Sequence, residues 1–243
     1  MRTIHLIAIT LLLLFGACTN QPGDTAKDTR PVIVNPDGSM LKRTFRKNGT
    51  ILSECTIKNN KRNGPAKNYY ENGKVSYEFY YVNDKREGDV KWLFSDGKIC
   101  TITPYKNDKR QGLGKRYYRS GKIAAETPYD KGEVEPGLKE YTENGKLVNY
   151  NPSLQIKAID KTATQHKYIL QLTMSDNTGS VRYFIIKDDG SKVKRQEIPS
   201  KNGVGTMTFS VSQPNFKTGK ILFEAQVITK YGNTYVCRKA YWK

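Results

Sequence analysis

Five glycines, Gly49, Gly73, Gly97, Gly121 and Gly145, follow one another at intervals of 24 residues. A fixed period of that length confines a chain to a stack of like units. Two residues after each glycine stand Ile51, Val75, Ile99, Ile123 and Leu147, and four before it stand Phe45, Tyr69, Leu93, Tyr117 and Tyr141. Ile57, Tyr81, Tyr105 and Tyr129 lie eight residues after the first four glycines. Between these anchors apolar side chains alternate, as in Val75, Tyr77, Phe79 and Tyr81, so they share one face of a pleated strand. Asn72-Gly73, Asp96-Gly97 and Ser120-Gly121 sit where two such strands meet, and the expected connection is a two-residue type I′ turn, whose central residues both need positive φ. Each unit is therefore read as two antiparallel strands.

That turn sets a register in which the residue six before each glycine faces the residue five after it. Opposite charges then meet in Arg43 with Glu54, Lys67 with Glu78 and Lys115 with Glu126, each pair adding a few tenths of a kcal/mol. Lys91 with Ile102 and Lys139 with Tyr150 do not fit the charge pattern. A second loop recurs at the same interval as "NNKRNG" (59–64), "NDKREG" (83–88) and "NDKRQG" (107–112), and "KGEVEPG" (131–137) departs from it with an extra residue and an acidic character. That departure suits a repeat that ends the array or meets a neighbour. Lys61, Arg62, Lys85, Arg86, Lys109 and Arg110 thus occupy one loop in three consecutive repeats, and the stack would set them along one edge at about 10 Å intervals. Such a row of cations suits a phosphate- or carboxylate-bearing chain. It equally suits the plainer work of keeping the sheet soluble and blocking edge pairing.

The pattern Tyr-Tyr-Glu-Asn-Gly-Lys, followed by an alternating strand and the Asn-Asp-Lys-Arg loop, resembles the bacterial MORN-repeat variant over about residues 40–150. The resemblance implies a twisted antiparallel meander of stacked hairpins and does not imply an enzyme. It brings with it the label of an antitoxin-like inhibitor, which an export signal argues against. From Asn151 the glycine period stops, and six alternating segments separated by turns such as "DDGS" and "YGN" point to a β-sandwich. The last hairpin, "FEAQVITKYGNTYVCRKAYW", resembles the final two strands of an immunoglobulin-like domain. The fold class is therefore all-β: a MORN-like hairpin-repeat sheet over 37–150, then an Ig-like β-sandwich over 151–243.

The opening "MRTIHLIAITLLLLFGAC" carries one early cation, an apolar run from Leu6 to Phe15 and the small residues Gly16 and Ala17, which is an export signal. Its apolar run is shorter than the roughly 20 residues a spanning helix needs. "LFGAC" resembles the lipobox of bacterial lipoproteins, which implies a signal peptide over 1–17, a diacylglyceryl thioether on Cys18 and a membrane anchor. A polar tether over 18–36 follows. The chain carries a net charge of +18, of which residues 37–150 hold +8 and residues 151–243 hold +9. A basic excess spread over both domains favours an anionic surface or polymer, and export turns that preference from nucleic acid towards envelope glycans, lipid head groups or another envelope protein.

Catalysis has little to stand on. Once the signal leaves, His166 is the remaining imidazole, in the polar approach "TATQHKY" to a strand. No Cys/His cluster has zinc spacing, no Gly-rich phosphate loop opens a helix, and no cofactor is called for. A paired-carboxylate hydrolase of the envelope stays open on spacing alone. Cys55, Cys100 and Cys237 are an odd number of thiols in an oxidising compartment. Cys55 and Cys100 lie two repeats apart, about 19 Å at the spacing of strands, too far for a disulfide. They are expected as buried thiols, with a bond to Cys237 as the alternative. The expected whole is a lipid-anchored, non-enzymatic scaffold of the bacterial envelope, most naturally on the outer membrane.

Overall fold

The computed structural model describes residues 33–188, 193–210 and 219–242. The stretch read as a signal peptide, the Cys18 expected to carry lipid and most of the stretch read as a tether lie outside them. The chain resolves into two compact units that divide between Lys98 and Ile99, inside the repeats.

In the first unit β1 (Ile33–Val34), β2 (Met40–Phe45), β3 (Ile51–Lys58), β4 (Lys61–Tyr69), β5 (Val75–Val82) and β7 (Gly88–Leu93) follow one another as hydrogen-bonded antiparallel neighbours, with the short β6 (Lys85–Arg86) paired to β5. Ile33 and Val34 pair with Leu41 and Met40, so the sheet begins inside the stretch assigned to the tether. The second unit continues the plan with β8 (Ile99–Lys106), β10 (Gly112–Tyr117), β11 (Ile123–Asp130), β13 (Lys139–Tyr141) and β14 (Leu147–Val148), while β9 (Lys109–Arg110) pairs with β8 and β12 (Glu133–Val134) with β11.

The glycine turns are not type I′. In the second repeat Gly73 N–H donates to Tyr70 O and Tyr70 N–H to Lys74 O, at 3.0 and 2.8 Å. Gly73 has φ +79° while Asn72 is absent from the positive-φ residues. This is a three-residue loop with the glycine in the left-handed position. The register nevertheless holds, because one residue beyond the turn is left unpaired: Tyr69 faces Val75 but Asn68 faces Tyr77, which skips Ser76. The longer loop and the bulge cancel, and Arg43↔Glu54, Lys67↔Glu78 and Lys115↔Glu126 all stand opposite as read. Lys139 stands opposite Glu126. The type I′ geometry belongs to the other loop, where Asn59 and Asn60, Asn83 and Asp84, and Asn107 and Asp108 all have positive φ.

The sandwich lies wholly in the second unit. One four-stranded sheet orders β15 (Leu154–Lys161), β16 (Lys167–Met174), β20 (Val204–Ser210) and β19 (Ser200–Lys201); the other orders β18 (Val193–Ile198), β17 (Val181–Asp188), β21 (Lys220–Ile228) and β22 (Thr234–Trp242). Two of these strands, β18 and β19, lack the apolar alternation that marks the other six. Lettered in chain order the sheets read A-B-E-D and C′-C-F-G, the arrangement of immunoglobulin-like sandwiches. Leu170, Leu172, Met174, Tyr183, Phe223 and Val227 close one core between them. Gly205 lets the Tyr183 ring lie against its backbone, and the Tyr183 hydroxyl donates to Gly203 O at 2.7 Å.

Candidate binding surface

The loops between strand pairs hold the six cations picked out by their spacing, and the arginines and lysines there behave differently. In the first unit Arg62 donates its backbone N–H and its Nε to Asp84 Oδ1 at 3.0 and 3.1 Å, and Nη2 to Asp84 O at 3.1 Å. Its guanidinium also lies 4.3 Å from the centre of the Tyr81 ring and donates to the Tyr81 hydroxyl at 3.0 Å. The Asp84 carboxyl is held below its ordinary value by the Arg62 backbone N–H and side chain. Arg110 repeats the plan in the second unit, with Nη2 on Gly132 O at 2.7 Å and its guanidinium 4.3 Å from the Tyr129 ring. These arginines bind one loop to the next. Lys61, Lys85 and Lys109 are exposed on the same loops, while Arg86 is half-buried. A sequence signal for the arginine role exists: Tyr81, Tyr105 and Tyr129 each follow a loop arginine by 19 residues.

At the glycine end, the residue three before Gly49, Gly73 and Gly121 reaches into the next repeat. Arg46 Nη2 donates to Tyr69 O at 2.5 Å, the Tyr70 hydroxyl to Leu93 O at 2.6 Å and the Tyr118 hydroxyl to Tyr141 O at 2.7 Å. Across the strands between the two ends runs a row of alternating charge. Glu54 receives Arg43 at 3.1 Å and the Tyr69 hydroxyl at 2.6 Å. Glu78 lies between Lys67 at 4.0 Å and Lys91 at 3.8 Å. Burial first, and the Glu54 carboxylate second, push the Tyr69 hydroxyl well above its ordinary value.

The departing loop of the fourth repeat meets the sandwich. Glu133 and Val134 replace the Lys-Arg pair, and Glu135 accepts Arg238 Nη1 and Nη2 at 2.6 and 2.8 Å. Fully buried Glu224 accepts Arg195 Nε and Arg238 Nε, both at 2.8 Å, and the Gln226 amide at 2.8 Å. Arg195 also lies 3.5 Å from both Glu133 and Glu135. Burial raises the Glu224 carboxyl, but the hydrogen bonds from Arg195, Gln226 and Arg238 together hold it below its ordinary value. A second contact lies on the residues five before each glycine. Arg116 Nε donates to Asn233 Oδ1 at 3.3 Å, and buried Glu140 accepts the Thr229 hydroxyl at 2.6 Å and the Asn233 amide. The sequence signalled the acidic loop as a meeting point; Arg116 and Glu140 gave no such sign, because their partners lie about 90 to 117 residues away.

With this geometry in place, the repeats can be compared with known ones. Residues 62–83, 86–107 and 110–131 match the MORN repeat variant. Each matched segment opens on a loop arginine, Arg62, Arg86 or Arg110, and Arg62 and Arg110 bind their loop to the next. The MORN-variant match covers the middle of the array and leaves β1 to β3, β12 to β14 and the sandwich outside it. No curated protein matches the chain.

Among the described residues no group of His, Cys, Asp or Glu is arranged to hold a metal ion, and no helix is long and apolar enough to cross a membrane. His166 is exposed, in a left-handed conformation after the one-turn helix α1 (Thr162–Gln165). Cys55, Cys100 and Cys237 are all free thiols, the first two buried, so the alternative bond to Cys237 is not formed.

Proposed function

We propose that this chain is an exported, lipid-anchored scaffold of the cell envelope that binds an anionic envelope polymer and catalyses no reaction. The observation that carries the reading is the recurrence of an exposed lysine at one place on successive type I′ loops, Lys61, Lys85 and Lys109, beside arginines that bind the loops to one another. Lysines recurring at the same place on like loops suit a long, repeating anion, which each ammonium meets as a point charge. The leader supports the location: its apolar run, small residues and Cys18 are the elements of an acylated N-terminus, and stable anchoring takes more than one acyl chain. The sandwich, which we assign to the immunoglobulin-like class on its strand order, is held to the array by Arg195 and Arg238 on Glu133 and Glu135 as a passive second module.

Lys61→Glu, Lys85→Glu and Lys109→Glu together test the loops while leaving the arginines in place. Co-sedimentation of the purified protein with isolated envelope polymers should fall at least tenfold and should weaken with added salt. Retention that is unchanged and insensitive to salt contradicts the polymer reading and makes another envelope protein the partner to seek. Cys18→Ala should release the chain from the membrane fraction; continued tight association contradicts the anchor.

A further inference from the structure

The positions that dock the sandwich in the second unit carry a different chemistry in the first. Where Arg116 and Glu140 stand five residues before their glycines, the first unit has Thr44, Asn68 and Trp92. Pairing aligns them with residues of the neighbouring strands into one row, Thr44, Ser53, Asn68, Tyr77 and Trp92. Tyr77 and Trp92 stand directly opposite each other, their rings within 9° of parallel and their centres 6.1 Å apart. Tyr77 is 38% exposed, and Trp92 is half-buried.

The polar atoms around this pair are already arranged. Trp92 Nε1 donates to the Tyr70 hydroxyl at 3.0 Å, and that hydroxyl donates to Leu93 O at 2.6 Å. The indole is therefore held in one plane with its N–H satisfied, so what it offers a ligand is the face of its ring. On the other side of Tyr77, which pairs with Asn68 across the strands, the Asn68 side-chain oxygen is the buried side-chain polar atom left without a hydrogen-bond partner among the described residues. An acceptor in that state is costly to the free protein, and a donor arriving on the Tyr77 side relieves it after a small turn of the amide.

We infer that Tyr77, Trp92 and Asn68 form a saccharide subsite that stacks a pyranose ring on the paired aromatics and takes a sugar hydroxyl on the Asn68 oxygen. A pyranose supplies both halves of that demand, a face of C–H groups carrying partial positive charge for the negative faces of the rings and hydroxyl donors at its rim. The charged pair Arg116 and Glu140 at the matching positions reads a hairpin of protein, through Thr229 and Asn233; the uncharged, flat row of the first unit fits a sugar better than a second hairpin. The subsite uses none of the loop lysines, so it stands whether or not those lysines bind a polymer.

The chain has two tryptophans, so Trp242→Phe leaves Trp92 as the sole indole reporter. Titrating that protein with cellotetraose and with chitotetraose should give a saturable change in Trp92 emission with at least one of them. Glucose and N-acetylglucosamine should bind at least tenfold more weakly if the site takes a polymer, and equally if it takes a free sugar. Tyr77→Ala should weaken binding about tenfold or more, Tyr77→Phe should keep it because the ring is retained, and Asn68→Ala should lower it. The Lys61→Glu, Lys85→Glu, Lys109→Glu variant should respond like the parent. Absence of a saturable change with all four sugars, or a response that survives Tyr77→Ala with the fold intact by circular dichroism, overturns the proposal. Capture of an envelope protein by the same row without any sugar response overturns it as well.

Discussion

At the scale of single residues, two glycines separate two physical reasons for the same amino acid. Gly73 stands in the left-handed region at φ +79° with nothing near the site of a Cβ, so an alanine there meets only backbone strain. Gly205 has no such conformation, but a Cβ built on it would lie 2.6 Å from the buried Tyr183 ring. Gly73→Ala should lower the unfolding free energy by about 1 kcal/mol, and Gly205→Ala by more, about 1–3 kcal/mol, because the Tyr183 ring has no room to move. Urea denaturation of the two variants checks the order; equal losses would contradict it. The sequence showed that Gly73 ends a strand, since Asn-Gly between alternating runs is a strong turn signal. It did not show which turn, because a three-residue loop with a bulge and a two-residue loop predict the same pairing of Lys67 with Glu78. The close approach of Gly205 to Tyr183 joins two sheets and leaves no local trace.

At the scale of elements, the repeat is held together at both of its ends by groups that cross to the next repeat. Tyr70 and Tyr118 do this at the glycine turns, and Arg62 and Arg110 at the Asn-Asp loops. Arg62→Lys keeps the charge but removes the planar fork that serves Asp84 Oδ1, Asp84 O and Tyr81 together. Backbone amides of residues 83–86 should then exchange with solvent about tenfold faster, while those of β20 and β21 stay unchanged. Unaltered exchange in the loop would show that Arg62 is a solvated cation after all. The strands themselves were legible, because alternation from Val75 to Tyr81 and from Tyr168 to Met174 follows directly from which face is buried. The division of labour between Arg62 and Lys61 was not legible from composition, since both read as loop cations; only the Tyr81 ring, 19 residues on, distinguishes them. The strands β18 and β19 escaped for the opposite reason. In β18 Lys194, Gln196 and Glu197 are exposed on both faces of the strand, so no apolar alternation announces it.

At the scale of the whole molecule, the second unit packs repeats and a sandwich together. The second unit holds its sandwich through Arg195 and Arg238, which reach Glu133 and Glu135 of the repeat loop and share the buried Glu224 of the sandwich's own sheet as their common partner. Glu224→Gln should therefore destabilise the second unit by about 3–5 kcal/mol, the usual loss when one member of a buried ion pair is removed. The pH dependence has a definite sign. A carboxyl whose folded value lies below its ordinary 4.5 adds stability that is present above that pH and fades as the pH falls through the folded value. Limited proteolysis should thus find the sandwich protected from neutral pH down to about 5, and released only in stronger acid. Release between pH 7 and pH 5 would contradict the assignment. The acidic loop that makes this contact was visible in the sequence as a break in the repeat, while its partners Arg195 and Arg238 were two more cations in a basic domain.

The central claim is that the chain lies on a membrane by its N-terminus and presents its loop lysines to an envelope ligand. Its most direct test is crosslinking in intact cells with a photoreactive residue in place of Lys85, followed by fractionation and identification of the adduct. The account predicts a chain that begins at an acylated Cys18, sediments with membranes and carries an anionic envelope polymer at position 85. A chain that keeps Met1, stays in the cytosol and carries a cytosolic protein or no adduct would contradict it.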